Sequence, residues 1–317
     1  NSGPHAPATT PRCRTLPSSP SRRIINVLRP LLPRVKMFAA SNTSAAKTTG
    51  PSPTILATYG FFLLGALSVH HIIAEGEFSS ILTMSVMCQC LAFALLALQV
   101  ISVGNADGIS TRALSLDALA LACRLSSTLW LNGYLPMDAS GDWVFQAIDI
   151  CSLMLVVGLL CSVLRTGRSE EMREKDSLPV GSLTVGSFAL AFVLHADMNS
   201  RPIFDSLWMA GLFLSTVSIL PQLWLIVRTG GKVQAFTSHH IATLAFSRML
   251  SGVFMWYARH DITCQPWVEG YNHAIWAILG THLVHVVLLA DYMYYYIRAM
   301  VRGGVACVLD LADDLGV

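Results

Sequence analysis

The sequence predicts an all-α polytopic membrane protein with eight transmembrane helices. Three observations lead to this fold class: the composition, the length of the apolar segments and the distribution of basic residues. Of the 317 residues, 53% are apolar and only 13% are charged, and the mean hydropathy is +0.55. Such values are typical of a chain embedded in a bilayer rather than of a water-soluble domain. The net charge of only +2 gives no reason to expect a nucleic-acid partner.

The N-terminal segment, residues 1–53, differs from the rest of the chain. It contains eight lysines and arginines and no acidic residue, and it is rich in serine, threonine, proline and alanine. This composition predicts a basic disordered tail or part of a targeting segment. Met37 is a plausible natural start of the protein.

Eight apolar segments follow, and each has about the 19 to 25 residues that a helix needs to cross a bilayer. The third segment is the most polar, because it contains Asp117 and Arg124. The connections between segments are short, which predicts one bundle rather than separate domains. We place the segments at 54–74, 80–101, 113–131, 144–164, 179–197, 203–227, 238–258 and 273–297.

The basic residues indicate the orientation of these spans. Of the 21 lysines and arginines, 17 fall in the two tails and in every second loop. Only Arg201 and Arg259 fall in the opposite loops, and Arg124 and Arg248 lie inside spans. Because cytosolic loops carry the excess of lysine and arginine, both termini are predicted to be cytosolic.

An internal repeat is visible in two stretches of equal orientation. Each stretch is an apolar helix that ends near a glutamine, then a short turn with glycine and serine or threonine, then a helix with one arginine. The glutamine and arginine are 25 residues apart in the first stretch (Gln99 and Arg124) and 26 apart in the second (Gln222 and Arg248). Parallel repeats of this kind occur in transporter folds.

The repeat predicts how the eight helices are organised. Two parallel three-helix units, 80–164 and 203–297, are joined by an inverting helix at 179–197. The helix at 54–74 is an addition outside the repeat. Pro221 lies inside a span, where a proline frees backbone groups that a neighbour or a cavity must satisfy. We interpret Pro221 as a bend beside a central cleft and Gln222 as a polar group turned toward it, with a purely structural kink as the alternative.

Arg124 and Arg248 are the strongest candidates for a binding site. Arginine stays charged and offers a planar fork that suits a carboxylate. Two arginines at equivalent repeat positions should converge near the pseudo-twofold axis and form a receptor for an anionic ligand. The alternative is that each pairs with an internal acid such as Asp149 or Asp291, since buried charges generally pair.

Three further residues are candidates at the lumenal mouth of this cleft. Arg259 follows Arg248 by eleven residues, about three helical turns, so both share a face about 16 Å apart; an arginine that snorkels to the interface is the alternative. Asp205 and Trp208 are spaced i, i+3 near the start of their helix. A carboxylate beside an indole suits a ligand cation, whereas a tryptophan in the interfacial aromatic belt is the alternative.

The histidines suggest a metal site only weakly. His239, His240, His282 and His285 fall on the last two spans, but the first pair begins its span on the cytosolic side, and His285 falls near the membrane middle. The histidines are therefore predicted to lie at depths in the membrane that are too different for them to share one zinc ion. The sequence contains no nucleotide-binding, nucleophile-elbow or His-Glu-x-x-His motif. We expect no catalytic residue, no metal and no cofactor, with a metallohydrolase as a minor alternative.

Several stretches together resemble one known family. They are "ADGIS" before the Arg124 helix, "VSILPQLWLIVRTG", "FTSHH" and "FSR" leading to Arg248, and "LLADYMYYYIRAM" in the last span. In this order they are similar to the ER lumen protein-retaining receptors, or KDEL receptors, which are relatives of PQ-loop and SWEET transporters. The similarity covers about residues 80–303, a seven-helix core, with a short cytosolic tail at 304–317. The extra first helix and "ACRLSS" are similar to the divergent receptor-like branch seen in plants.

The resemblance implies a function and roles for individual residues. It implies binding of the C-terminal KDEL or HDEL tetrapeptide of escaped lumenal proteins, and their return in vesicles from the Golgi to the ER. Arg124 matches the family arginine that grips the peptide carboxylate, and Asp205 and Trp208 match the residues that hold its basic side chain. Arg248 matches an arginine of the proton-sensing relay. Arg259 is similar, one residue displaced, to an outer arginine that meets an acidic peptide side chain.

The last span and the departures from the family pattern complete the comparison. Asp291 is similar to the family's last-helix aspartate, which is linked to transport. Pro221 and Gln222 of the repeat are predicted to be linked to transport as well. Leu82 and Gln89 replace a family arginine and histidine, and Ser127 and Ser215 replace two acidic residues. The lysine-rich cytosolic tail is reduced to Arg298 and Arg302. Coat proteins are possible cytosolic partners, and a PQ-loop transporter of a small anionic metabolite is the alternative function.

Overall fold

The computed structural model describes residues 53–104, 106–129, 141–166, 169–198, 200–303 and 309–310. The predicted basic tail, apart from its last residue, and most of the predicted C-terminal tail at 304–317 lie outside the described residues. Most of the described chain is helical, which confirms the predicted all-α class. Besides loops, the described residues include a two-residue antiparallel pair, β1 (Lys232–Val233) with β2 (Leu309–Asp310).

The helices follow the predicted apolar segments closely. The chain continues from α1 into a π-helical turn at Val69–Ile73, and from α9 into a 3₁₀ turn at Ala258–His260. The helices are α1 (Pro53–Ser68), α2 (Ser80–Val103), α3 (Thr111–Thr128), α4 (Gly141–Thr166), α5 (Glu170–Lys175), α6 (Val180–Leu194), α7 (Pro202–Val217), α8 (Ile219–Arg228), α9 (Ala235–Tyr257) and α10 (His273–Gly303).

Seven helical segments of the described chain are long and apolar enough to cross a membrane. They correspond to α1, α2, α4, α5 with α6, α7 with α8, α9 and α10. The eighth predicted span corresponds to α3, which forms over 18 residues. It is too polar to qualify by composition, because Arg112, Asp117 and Arg124 all lie on it. The polytopic fold is therefore confirmed, while eight crossings stay a prediction.

Helix packing follows the repeat. The first helix of each repeat packs mainly against the second helix of the other: α2 against α9, and α7 against α3. Within each repeat the second and third helices are neighbours, α3 with α4 and α9 with α10. The inverting helix α6 packs on α7. This exchange of partners is what a pseudo-twofold axis between two parallel three-helix units requires.

The two repeat glutamines make equivalent contacts. Gln222 donates from Nε2 to the carbonyl of Gly108 at 2.8 Å and accepts the Ser110 N–H at Oε1 at 2.9 Å. Gln99 accepts a hydrogen bond from the hydroxyl of Thr237. Each glutamine thus binds the beginning of the second helix of the opposite repeat, so it fixes the N-terminal end of that helix.

The Pro-Gln segment interrupts its span. The helix is broken at Ser218, between α7 and α8, three residues before Pro221. Pro221 has no N–H to donate one turn back, to the carbonyl of Val217, which accounts for the interruption at this position. Pro221 and Gln222 are both buried. The break is therefore compensated by packing and by the contacts of Gln222 with the start of α3.

The additional helix α1 is attached to the second repeat. The Tyr59 hydroxyl lies 3.2 Å from Nδ1 of His239 and 3.1 Å from the hydroxyl of Thr243, both on α9. Tyr296 on α10 reaches the same His239 nitrogen at 2.9 Å. The outer side of α1 is apolar and exposed, as a face turned toward lipid would be.

Candidate functional site

A close approach of α3 and α7 determines where the candidate site lies. A Cβ added at Gly211 would lie 2.9 Å from the carbonyl oxygen of Ala120 and 3.2 Å from the backbone nitrogen of Arg124. Only glycine allows the two backbones to be this close. The contact places Arg124 at the level of Gly211 along α7, next to the space between the two repeats.

That space is a cavity between the two three-helix units, which we call the central cavity. The volume that water-sized groups can occupy within it is about 50 Å³, so the cavity is small. Leu82, Phe145, Trp208 and Gly211 are among its apolar lining residues. Its polar and charged lining residues are Gln89, Asp117, Arg124, Ser215, Arg248, Ser251 and His282.

Arg124 forms the best-defined ion pair of the site. Its Nε donates to Oδ2 of Asp149 at 2.7 Å, and its Nη2 donates to Oδ1 at 2.5 Å. The Asp149 side chain is fully buried, and the guanidinium lies 5.7 Å from the centre of the Phe145 ring. The guanidinium fork is therefore already occupied by an internal carboxylate, which was one of the two alternatives for this residue.

Arg248 lies on the opposite side of the central cavity and is also buried. It is close enough to Asp117 and Asp149 for electrostatic attraction and close enough to Arg124 for repulsion. Two arginines and two aspartates therefore share this region. When all four are ionised their charges cancel, so the cavity is a balanced cluster rather than a purely cationic receptor.

Three polar atoms at the central cavity have no hydrogen-bond partner within the described residues. They are Nε of Arg248, Oε1 of Gln89 and Nε2 of His282. All three side chains are buried, with at most 6% exposure. A buried polar atom without a partner costs about 1–3 kcal/mol. The central cavity therefore offers a donor on Arg248, an acceptor on Gln89 and a histidine nitrogen to an incoming polar group.

Asp205 and Trp208 lie one helical turn apart on α7 and face two different spaces. Trp208 lines the central cavity. Asp205 is 2% exposed, accepts the Met198 N–H at 3.3 Å, and lines a second space formed with the loops that precede α7 and α10. We call this second space, of about 530 Å³, the outer cavity.

The other predicted residues lie away from the central cavity. Arg259 donates to the Trp256 carbonyl at 2.7 Å and covers the Trp256 ring, so it lies on the outside of the bundle as the snorkelling alternative expected. Asp291 is exposed on α10. Gln222 contacts the start of α3, and neither Pro221 nor Gln222 belongs to the cavity lining.

The histidines do not come together. His239 lies between Tyr59 and Tyr296, and His240 bonds through Nδ1 to the Ala92 carbonyl at 2.8 Å. His282 faces the central cavity. Among the described residues, no three His, Cys, Asp or Glu side chains are placed to hold a metal ion.

Comparisons with known proteins point to one family. A family profile described as "ER lumen protein retaining receptor" matches residues 105–259, which include α3, α7, α9 and both cavity arginines. A curated protein from Caenorhabditis elegans, ER lumen protein-retaining receptor erd-2.2, is 29% identical over 217 residues, covering 68% of this chain and 92% of the relative. The profile and this relative support the ER lumen protein-retaining receptor family for this chain.

Other receptors of the family align over the same extent. ER lumen protein-retaining receptor 3 from Danio rerio is 25% identical and covers 68% of this chain and 91% of its own length. The ER lumen protein-retaining receptor from Entamoeba histolytica is 27% identical, with 67% and 90% covered. These relatives are named as receptors, not as enzymes. Together with the apolar helices they support a multi-pass protein of ER and Golgi membranes.

Three of the four positions that depart from the receptor pattern line the central cavity. Leu82, Gln89 and Ser215 all line the central cavity, where the receptor family is expected to carry charged or titratable groups. Ser127 instead donates to the Phe204 carbonyl at 2.8 Å and thereby joins α3 to the start of α7. The departures change the inside of the cavity without removing either arginine.

Sequence reasoning did not assign Asp117 and His282 to the site. Asp117 precedes Arg124 by seven residues, two helical turns, so the two share a face of α3. That spacing could have identified Asp117 as a cavity residue. Asp149 is the only acidic residue of the predicted span 144–164, which already made it the natural internal partner of an arginine. His282 had no comparable signal, because its orientation depends on how α10 packs.

Proposed function

We propose that this protein is a retention receptor of ER and Golgi membranes that binds the C-terminal KDEL- or HDEL-like peptide of lumenal proteins and mediates their retrieval to the ER. The observation that carries the proposal is the placement of Arg124 and Arg248 from the two repeats in one buried cavity, beside buried polar atoms without partners. A peptide carboxylate is a planar anion that matches the arginine fork.

The spacing along α7 fits a ligand of about four residues. Arg124 lies at the level of Gly211, and Asp205 lies six residues nearer the lumenal end of α7. Six helical residues correspond to about 9 Å, which an extended peptide covers in about three residues. A peptide whose carboxylate meets Arg124 therefore brings the fourth residue from its end beside Asp205 and Trp208, where a basic side chain is favoured by charge and by the indole.

Binding requires the central cavity to open. At about 50 Å³ the cavity is far smaller than the 300–1,000 Å³ or so of typical ligand sites. The Arg124 guanidinium, to which an anion would bind, is already paired with the Asp149 carboxylate. A peptide carboxylate thus has to displace or share this pair, and the helices that contact across the repeats must separate. The proposal therefore includes a conformational change on ligand entry.

The membrane orientation and the cytosolic partners belong to the same proposal. The positive-inside distribution supports cytosolic termini, with the α6–α7 and α9–α10 loops in the lumen. Retrieval in vesicles requires contact with a coat, and Arg298 and Arg302 are the basic residues of the sequence at the end of α10. The proposal also includes the predicted arrangement of segments, an extra helix at 54–74 followed by a receptor core at 80–303.

The decisive experiment is a binding titration on the purified full-length protein at acidic and neutral pH. Peptides ending in Lys-Asp-Glu-Leu and His-Asp-Glu-Leu are compared with the same peptides carrying a C-terminal amide. The proposal expects binding of the free acids and a loss of at least tenfold for the amides. Arg124→Lys keeps the positive charge beside Asp149 but lacks the planar guanidinium fork. It should therefore weaken binding of the free-acid peptide and leave binding of the amide unchanged. Arg201→Lys, on an exposed residue, is the matched control.

Two results would oppose the receptor function. Equal affinity for the free acid and the amide would show that no carboxylate is gripped. Transport of a small anion across vesicles that contain the purified protein, without any peptide binding, would favour the PQ-loop transporter. A receptor should give no flux above empty vesicles.

A further inference from the structure

The outer cavity is separate from the central cavity and is built by two lumenal loops. One loop joins α6 to α7 and the other joins α9 to α10. Asp197 donates its N–H to the Thr263 carbonyl at 2.9 Å, and the Thr263 hydroxyl donates to the Asp197 carbonyl at 2.7 Å. Asn272 adds a bond from Nδ2 to the Ile262 carbonyl at 2.8 Å and caps α10 by accepting the Ile275 N–H at 3.0 Å. The walls are therefore held in place by hydrogen bonds.

The lining of the outer cavity is acidic and aromatic. Asp197 and Asp205 contribute two carboxylates, and His195, His273 and Gln265 contribute further polar groups. No lysine or arginine is among its described lining residues. Arg201 lies in the sequence between two lining residues, Ser200 and Pro202, but its own side chain is exposed and does not line the cavity. The local charge thus favours a cation in this space.

Trp267 provides the aromatic wall. Its indole is stacked on the His273 ring, with centroids 4.2 Å apart and an interplanar angle of 14°. The residue is still 62% exposed, so the face opposite His273 is accessible. A fixed indole beside carboxylates is a favourable environment for an ammonium or guanidinium group. The volume of about 530 Å³ is sufficient for one or two side chains.

The position of the outer cavity relates it to the proposed peptide site. Asp205 belongs to its lining, and Trp208, one turn deeper on α7, belongs to the central cavity. A peptide whose fourth residue from the end lies beside Asp205 continues toward the lumen through the outer cavity. We propose that the outer cavity is a second subsite that selects a basic side chain at the fifth or sixth position from the peptide C-terminus. This inference rests on the proposed function and adds a preference within its ligand class.

The test uses two peptides that share the last four residues Lys-Asp-Glu-Leu and differ only at the two positions before them, which are both Lys or both Glu. The Lys peptide should bind the full-length protein about fivefold more tightly, which corresponds to a cation–π and charge contribution of about 1 kcal/mol. The preference should decrease in high salt, because the partly exposed charges are screened.

Variants assign the preference to the outer cavity. Asp197→Asn keeps an oxygen for the bond that Oδ1 receives from the Ser200 N–H at 2.8 Å, and it removes only the charge. It should reduce the Lys preference to about twofold or less, as should Trp267→Ala. Asp261→Asn is the matched control, because Asp261 is an exposed acid of the same lumenal end that does not line the cavity.

The outcomes separate this inference from the proposed function. If both peptides bind wild type equally, or if Asp261→Asn reduces the preference as much as Asp197→Asn, the second subsite is overturned while the receptor function stands. If neither peptide binds at any pH, the receptor function fails and the subsite fails with it. A Lys preference that is lost only in Asp197→Asn and Trp267→Ala supports the subsite.

Discussion

Arg124 on α3 and Asp149 on α4 form a two-point ion pair inside the first repeat, with N–O distances of 2.7 and 2.5 Å. The pair uses two of the five guanidinium N–H groups and leaves the other three outside it. One arginine can thus hold α3 to α4 and still offer donors to a ligand carboxylate. Peptide binding and helix packing are therefore coupled through a single side chain.

The first prediction concerns the energy of this pair. Arg124→Ala should reduce the free energy of unfolding by about 3–5 kcal/mol, because it leaves the fully buried Asp149 carboxylate without its partner. The double variant Arg124→Ala/Asp149→Ala should recover part of this loss. Thermal unfolding of the purified protein in detergent measures the cycle. Purely additive losses would contradict a direct pairing of the two charges.

The arginines show what sequence could and could not reveal about the site. Span lengths and the basic-residue count predicted the helices, because the bilayer imposes length and charge rules on each segment separately. The repeat correctly brought Arg124 and Arg248 to one cavity. Which of the internal acids Asp149 and Asp291 pairs with an arginine, and where Arg259 lies, depend on side-chain direction and on contacts between distant segments. A pattern within one helix carries no information about those.

The second prediction concerns the contact between α3 and α7. Gly211→Ala should destabilise the protein by about 1–3 kcal/mol, because the new methyl group would overlap the Ala120 carbonyl and push the helices apart. Gly186→Ala on α6 is the matched control, since a Cβ there has no neighbour within 4 Å. It should be neutral or slightly stabilising, because alanine is the better helix former. Equal effects of the two changes would mean that the close approach does not exist.

The third prediction concerns Gln222. Gln222→Ala removes the acceptor of the Ser110 N–H and the donor to Gly108, and Ser110 is fully buried. We expect a loss of about 1–3 kcal/mol in stability without a change in the ratio of free-acid to amide peptide affinity. Gln222→Glu retains the acceptor, but it replaces the donor to Gly108 with a second acceptor and buries a charge, so it should lose at least as much. An altered affinity ratio in a stable Gln222 variant would instead place this residue in the ligand site.

The fourth prediction concerns the additional helix α1. Tyr59→Phe removes the hydroxyl that contacts His239 and Thr243, and should cost about 1 kcal/mol. Hydrogen exchange over Pro53–Ser68 should become faster, because this helix has few other contacts with the core. Tyr294→Phe, on an exposed residue of α10, is the control and should change neither quantity. Unchanged exchange in Tyr59→Phe would show that apolar packing alone holds α1.

The fifth prediction decides whether α3 crosses the membrane. With eight crossings, the loops at Gly76 and Gly270 lie on the same, lumenal side, and the turn at Gly230 lies in the cytosol. If α3 does not cross, Gly76 and Gly270 lie on opposite sides. An Asn-x-Thr acceptor sequence in a flexible insert at each position, expressed in cells, reports the side through glycosylation. We expect modification at Gly76 and Gly270 and none at Gly230, because only then do the basic loops all face the cytosol. Modification at just one of Gly76 and Gly270 would establish seven crossings and would place α3 on one side of the bilayer.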